Sequence, residues 1–403
     1  MKILPSRDLG FSLISPNNAA VYSFIICVIF TTFTAYNYTD IVGEPNLMFL
    51  NWRVLTYVIA CILAYSAGVS VATKFRFPRI SLIGIHFSIS RRTFYLIPML
   101  ISCCATIYVG VALIESNNLF VLFLESVANT DIKGSLEVDP IFFYVLYSHI
   151  AITLWASKEV YDEKATNLVR YMYWFMCILT VTVSLLILAR YVLIPFLMCI
   201  GVLRVRARYI KKGSVNHVAI FAAISALVGL FVLIAVARGG QGFEALYNYG
   251  PASFNRLAAV LAGRIDINVP SSYYIMSSFK HDWSYYEIVM NEHDAVEGAG
   301  LDWSLNWLTA YGYVFQAIGV FSLLYFFVIG LISGFAWSGF KVGKSWAIVF
   351  YPWIFSSVIL WFTYNIAGYA QTYILLIVGT ILGGYSRLFG MNVKFEDNVH
   401  SSD

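Results

Sequence analysis

A planar guanidinium presents a fork of donors that matches two oxygens at once, so arginine is well suited to hold a phosphate or pyrophosphate. Four arginines, with no lysine among them, stand at comparable boundaries in this chain: Arg190, Arg238, Arg256 and Arg264. Arg190 lies in the tight apolar turn Leu186-Ile187-Leu188-Ala189-Arg190-Tyr191-Val192-Leu193-Ile194, where an isolated cation is costly without a partner. Arg238 closes an apolar run, and Arg256 and Arg264 are eight residues apart, about 80° around a helix, so they can share one face. The plainer role of an arginine at such a boundary is to carry its charge out to a membrane interface.

A reaction beside bound phosphate needs a group that accepts a proton. His281, Asp282, Glu287, Glu292, His293, Asp294, Glu297 and Asp302 all follow the last of these arginines, and a carboxylate or imidazole among them can act as general base. Asp282, His281, Glu287 and His293 are the catalytic candidates, with the base drawn from 281–302. A run such as Asn291-Glu292-His293-Asp294 otherwise makes an ordinary solvated surface. Adjacent residues do not converge easily on one ion, so no metal is expected, nor any other cofactor. Tyr247 and Tyr249 are candidate platforms for sugar rings, whereas Trp303 and Trp307 suit an interfacial belt.

The elements that must position these groups are membrane helices. Of 403 residues, 60% are hydrophobic and only 12% charged, with mean hydropathy +0.74. A soluble domain carries about 25% charged residues, which argues against a water-soluble enzyme. A net charge of +4, dispersed along the chain, does not suit nucleic acid. The six cysteines all lie within apolar runs and form no zinc or disulfide framework. Walker loop, dinucleotide fingerprint, nucleophile elbow and His-Glu-x-x-His helix are all missing from the sequence.

Ten apolar stretches of roughly the ~20 residues needed to cross a bilayer predict an all-α polytopic integral membrane protein, one transmembrane domain over 1–403. They fall at 19–38, 53–73, 94–115, 140–157, 168–188, 191–204, 217–237, 313–335, 345–364 and 366–386. The sixth is short and contains Pro195. Segments 74–93 and 204–213 each hold five Lys or Arg and no acid, while Lys341, Lys344, Arg387 and Lys394 mark the ends of later stretches. These are cytoplasmic by the positive-inside rule, and an even number of spans puts both termini there too. Segment 238–312, between the seventh and eighth spans, is then a long loop on the outer face. Phe254, Leu257, Ala258 and Leu261 recur at helical spacing, predicting a short amphipathic helix at 252–263 lying at the interface. Residues 285–290 predict a second short element. Mid-depth ionisable residues are nearly missing apart from His149, and no paired set of broken helices is visible, which weakens a transporter reading.

Two stretches resemble the bacterial Wzy-type O-antigen polymerases. One is Ala189-Arg190-Tyr191-Val192-Leu193-Ile194-Pro195-Phe196-Leu197, where an arginine opens an apolar span, though Ala189 replaces the family's usual Gly or Ser. The other is Tyr247-Asn248-Tyr249-Gly250-Pro251-Ala252-Ser253-Phe254-Asn255-Arg256-Leu257 in the large loop. The layout of many spans with a late external loop is similar as well. The resemblance implies a GT-C-like glycosyltransferase of the bacterial inner membrane, with the active site facing the periplasm. It implies as substrates oligosaccharide units on undecaprenyl pyrophosphate, and as partners in the bilayer a repeat-unit flippase and a chain-length regulator. Arg190, Arg238, Arg256 and Arg264 would then hold the pyrophosphate. An O-antigen ligase, which transfers glycan to lipid A–core, and a lipid-linked oligosaccharide flippase are the alternatives.

Labelling single cysteines from outside the cell should modify positions in 265–300 and spare positions in 80–92; the reverse pattern would overturn this topology.

Overall fold

A computed structural model of the chain describes residues 12–34, 39, 43–47, 52–75, 90–116, 140–186, 190–214, 220, 222, 224–230, 233, 244–267, 271–275, 285–302 and 308–388. Among them there is helix and no strand. The helices before the large-loop region are α1 (Pro16–Thr34), α2 (Trp52–Lys74), α3 (Arg91–Ser116), α4 (Pro140–Tyr161), α5 (Asn167–Leu186) and α6 (Arg190–Lys212). The large-loop region supplies α7 (Glu244–Leu261), α8 (Ser271–Ile275) and α9 (Tyr285–Gly298). It is followed by α10 (Thr309–Ile318), α11 (Ser322–Lys341), α12 (Ser345–Ile359) and α13 (Ala370–Leu388). Among the described residues, six helical stretches are long and apolar enough to cross a membrane: Trp52–Lys74, Arg91–Ile114, Ile141–Tyr161, Asn167–Leu186, Thr309–Lys341 and Ser345–Phe362. A bilayer core offers the backbone no hydrogen bonds, so helix is the form this composition allows. Residues such as Leu63, Ile101, Tyr108, Ile178 and Ile381 stay exposed, as side chains meeting lipid do.

The short sixth stretch belongs to a longer helix, since α6 is unbroken for 23 residues with Pro195 inside it. Of the seventh, only 220, 222, 224–230 and 233 are described, as helix. The eighth, predicted over 313–335, lies within Thr309–Lys341, which is long and apolar enough for one span, with a 3-10 turn at Gly319–Phe321 between α10 and α11. Gly319 has φ 56, a left-handed conformation that glycine adopts without steric cost. Hydropathy does not register this break, because both flanking segments are apolar.

Close backbone approach builds the centre. A Cβ on Gly330 would collide with the Tyr65 carbonyl, one on Gly68 with the Phe327 carbonyl, and one on Gly334 would lie 2.7 Å from the Ala72 Cβ. The contacts advance together along both chains, so α2 and α11 run parallel, and Gly330 and Gly334 form a GxxxG pair. One end of the bundle is basic. There Lys158 Nζ donates to the Gly343 carbonyl at 2.7 Å and Arg206 Nε to the Phe340 carbonyl at 2.9 Å. Both cations meet carbonyls at the C-terminus of α11, where the helix dipole favours positive charge. Arg91 pairs with Glu159 at the same end.

Midway along the bundle His149 is buried, with Nδ1 2.8 Å from Ser102 Oγ and Nε2 3.2 Å from the Met176 carbonyl. A carbonyl only accepts, so Nε2 carries the proton and the Ser102 hydroxyl donates to Nδ1 when the ring is neutral. The imidazole thereby joins α3, α4 and α5.

Gly330→Val should lower the detergent-solubilised melting midpoint by the equivalent of about 1–3 kcal/mol of overpacking. Gly384→Ala, where a Cβ meets nothing within 4 Å, should leave it unchanged or raise it.

Candidate functional site

The loop region folds against the end of the bundle opposite the basic one. Its first helix was expected as a short surface element, but α7 is longer and every residue from Gly250 to Val260 is buried. The small residues Gly250, Ala252, Ser253, Ala258 and Ala259 let neighbours approach on all sides. Phe254, Leu257 and Ala258 join the main core, while Ala259 and Val260 enter a second, smaller one. The apolar spacing was therefore correct for helix and misleading for surroundings, because its polar face is occupied as well.

Asn255 and Arg256 occupy that face. Arg256 Nη2 donates to Glu44 Oε1 at 2.6 Å and Nη1 to Glu44 Oε2 at 3.2 Å, with both side chains almost fully buried. Nη1 also reaches the Ala252 carbonyl at 3.1 Å, and Nη2 the Asp302 carbonyl. The Asp302 amide donates to Glu44 Oε1 at 2.7 Å. Asn255 completes the clamp, accepting from the Leu47 amide at 2.7 Å and donating to the Pro45 carbonyl at 3.0 Å. The fork that sequence spacing offered to a pyrophosphate is thus filled by a carboxylate of the chain itself. It ties segment 43–47 to α7 and to residue 302.

The smaller core consists of Ala259, Val260, Ile265, Ile267, Tyr274, Val296, Leu301, Leu308 and Tyr313. It gathers α7, α8, α9 and α10 into one body. Asn365 fastens that body to the bundle by donating to the Tyr274 carbonyl at 2.9 Å and accepting from Tyr325 Oη at 3.0 Å. Gly368 permits the close approach, since a Cβ there would stand 2.7 Å from the Ile275 carbonyl.

Glu292 lies in this body. Tyr274 Oη donates to Glu292 Oε1 at 2.6 Å, and the Tyr274 ring packs 5.2 Å from Tyr313 and 5.4 Å from Tyr273. Burial pushes the Glu292 carboxyl up to about 7, and the tyrosine hydrogen bond only partly offsets that rise. A half-buried carboxyl divided between its two forms near neutral pH is what a general base requires. Glu292 was one of eight acids and imidazoles weighed from sequence, but not among the four preferred. A signal for it was present: on α9 it stands three, four and seven residues before Ala295, Val296 and Ala299, which face the small core.

His293 is half-buried, with Nδ1 3.1 Å from Asp294 Oδ1 and Nε2 3.1 Å from Glu297 Oε1. Glu287 is on α9, Tyr247 and Tyr249 are on α7, and Arg190 opens α6. Arg264 follows α7, immediately before Ile265 of the small core; its side chain is exposed, and its amide bonds the Ala259 carbonyl at 2.9 Å. Asp282, His281 and Arg238 lie outside the described residues. Among the described residues no three His, Cys, Asp or Glu side chains converge to hold a metal ion. No family model, curated protein or solved structure matches the chain.

Removing either member of a buried ion pair strands the other, at a cost of ~3–5 kcal/mol. Glu44→Gln and Arg256→Met should each lower the melting midpoint sharply. The double variant should cost less than the sum of the two.

Proposed function

We propose that this chain is a membrane-embedded glycosyltransferase that lengthens a bacterial surface polysaccharide. The growing glycan passes from undecaprenyl pyrophosphate to the non-reducing end of a lipid-linked repeat unit, at the periplasmic face of the inner membrane. One observation carries the reading: Glu292, hydrogen-bonded to Tyr274 of the small core, has its carboxyl near neutral pKa, and the exposed Arg264 adjoins Ile265 of that same core in the chain. Ten GT-C-like spans with both termini cytoplasmic, and a flippase and chain-length regulator as neighbours, complete the proposal.

The acceptor hydroxyl oxygen attacks the anomeric carbon from the side opposite the pyrophosphate, and the carbon–oxygen bond to that leaving group breaks. The hydroxyl proton passes to Glu292, and the electron pair departs with undecaprenyl pyrophosphate. Arg264, assisted by Arg190 and Arg238, stabilises the charge released on the leaving group. Tyr247 and Tyr249 offer rings to the glycan. Arg256 is given no part in this chemistry, since Glu44 satisfies its fork; it holds the loop in place.

The base must be ionised to accept a proton. Glu292 is protonated below about pH 7 and ionised above it, so elongation of a lipid-linked unit by purified protein should rise along a limb centred near that pH. Glu292→Gln should abolish the limb and slow elongation by about 10²–10⁴-fold; an unchanged limb would sink the assignment. In a deletion strain, wild type should restore a full glycan ladder, and Glu292→Gln should leave lipid bearing one repeat unit. Loss of even that unit would point to ligation or flipping instead.

A further inference from the structure

At the basic end of the bundle, remote from the loop body, α6 and the α4–α5 turn border an open cleft of about 310 Å³. Arg204, Arg208, Lys211 and Lys212 line it, with Tyr161 and Glu163. Lys211 pairs with Glu163, and Lys212 also interacts electrostatically with that carboxylate, which leaves Arg204 and Arg208 facing the cleft without a carboxylate ion pair among the described residues. Arg204 is further held against aromatic faces, 5.3 Å from the Trp174 ring centre and 5.9 Å from that of Tyr161. Arg206, by contrast, is turned inward to the Phe340 carbonyl.

Trp174 connects this charge to a different surface. Tyr171, Trp174, Phe175 and Ile178 are all exposed on α5, and their spacing places them on one face of the helix. The stripe runs away from the cleft into the apolar length of the bundle. Unneutralised cations at one end of an apolar track complement a molecule with an anionic head and hydrocarbon tails. A small soluble anion would use only the cations. We propose that the cleft seats the headgroup phosphate of an anionic phospholipid, whose acyl chains follow Tyr171, Trp174, Phe175 and Ile178. Arg204 and Arg208 grip the phosphate oxygens as forks, and Lys212 adds a point charge.

The full-length protein, purified in detergent, is mixed with equimolar phosphatidylglycerol and phosphatidylcholine of identical acyl chains, and retained lipids are counted by native mass spectrometry. Phosphatidylglycerol should be retained in preference, and Arg204→Gln/Arg208→Gln should reduce that preference about tenfold. Arg92→Gln, which removes an exposed charge of the same end outside the cleft, should preserve it. Equal retention of the two lipids by wild type overturns the proposal without reference to any variant. A preference that survives in a double variant with an unchanged melting midpoint overturns it as well. Displacement of the lipid by an equal concentration of inorganic phosphate or glycerol phosphate would assign the cleft to a soluble anion and remove the lipid.

Discussion

The Arg256–Glu44 pair is the contact on which the arrangement of the loop depends. A guanidinium and a carboxylate withdrawn from water are tolerated only when nearly every donor and acceptor is matched. Here the matching groups come from three separate stretches of chain: Glu44 and Pro45, α7, and Asp302. Because none of these stretches satisfies its polar groups alone, the pair fixes their mutual position more firmly than apolar contact would. Once α7 is fixed, the small core can close over α8, α9 and α10, and Glu292 acquires the partly dry surroundings that lift its pKa.

The two ends of the bundle hold by different means. At the basic end, the positive charge that orients a membrane protein during insertion has a second role: Arg206 caps the Phe340 carbonyl of α11 and Lys158 the Gly343 carbonyl just beyond it. At the other end, beside the Arg256–Glu44 pair, uncharged contacts join the loop body to the bundle, through Asn365, Tyr325 and the close approach at Gly368. Between them α2 and α11 meet backbone to backbone. In lipid, where hydrocarbon surroundings give little reward for burying a leucine, such intimate van der Waals contact is the available source of helix association.

Several elements were readable in the sequence because one local property determined them. Runs of apolar residues ended by charges located α2, α3, α4 and α5 to within a few residues. Other features depended on distant partners. The apolar spacing of Phe254, Leu257, Ala258 and Leu261 suits a helix on a membrane surface or one enclosed by protein. Only Glu44, 212 residues from Arg256, decides between them. The break at Gly319 leaves no trace in hydropathy. Glu292 was legible in principle, as a carboxylate on the apolar face of α9, but an acidic run reads as solvated until its helical phase is known.

The separation of Glu44 from its partners also bears on how the protein is made. Asp302 follows Glu44 by 258 residues, so at about 5–20 residues per second the ribosome needs roughly 10–50 s to supply the last piece of the clamp. During that interval the carboxylate must stay hydrated outside the hydrocarbon, and the turn after α1 has nothing to grip. Final closure at this face is a late, post-insertional event, triggered by a segment that emerges only after three-quarters of the chain has been synthesised.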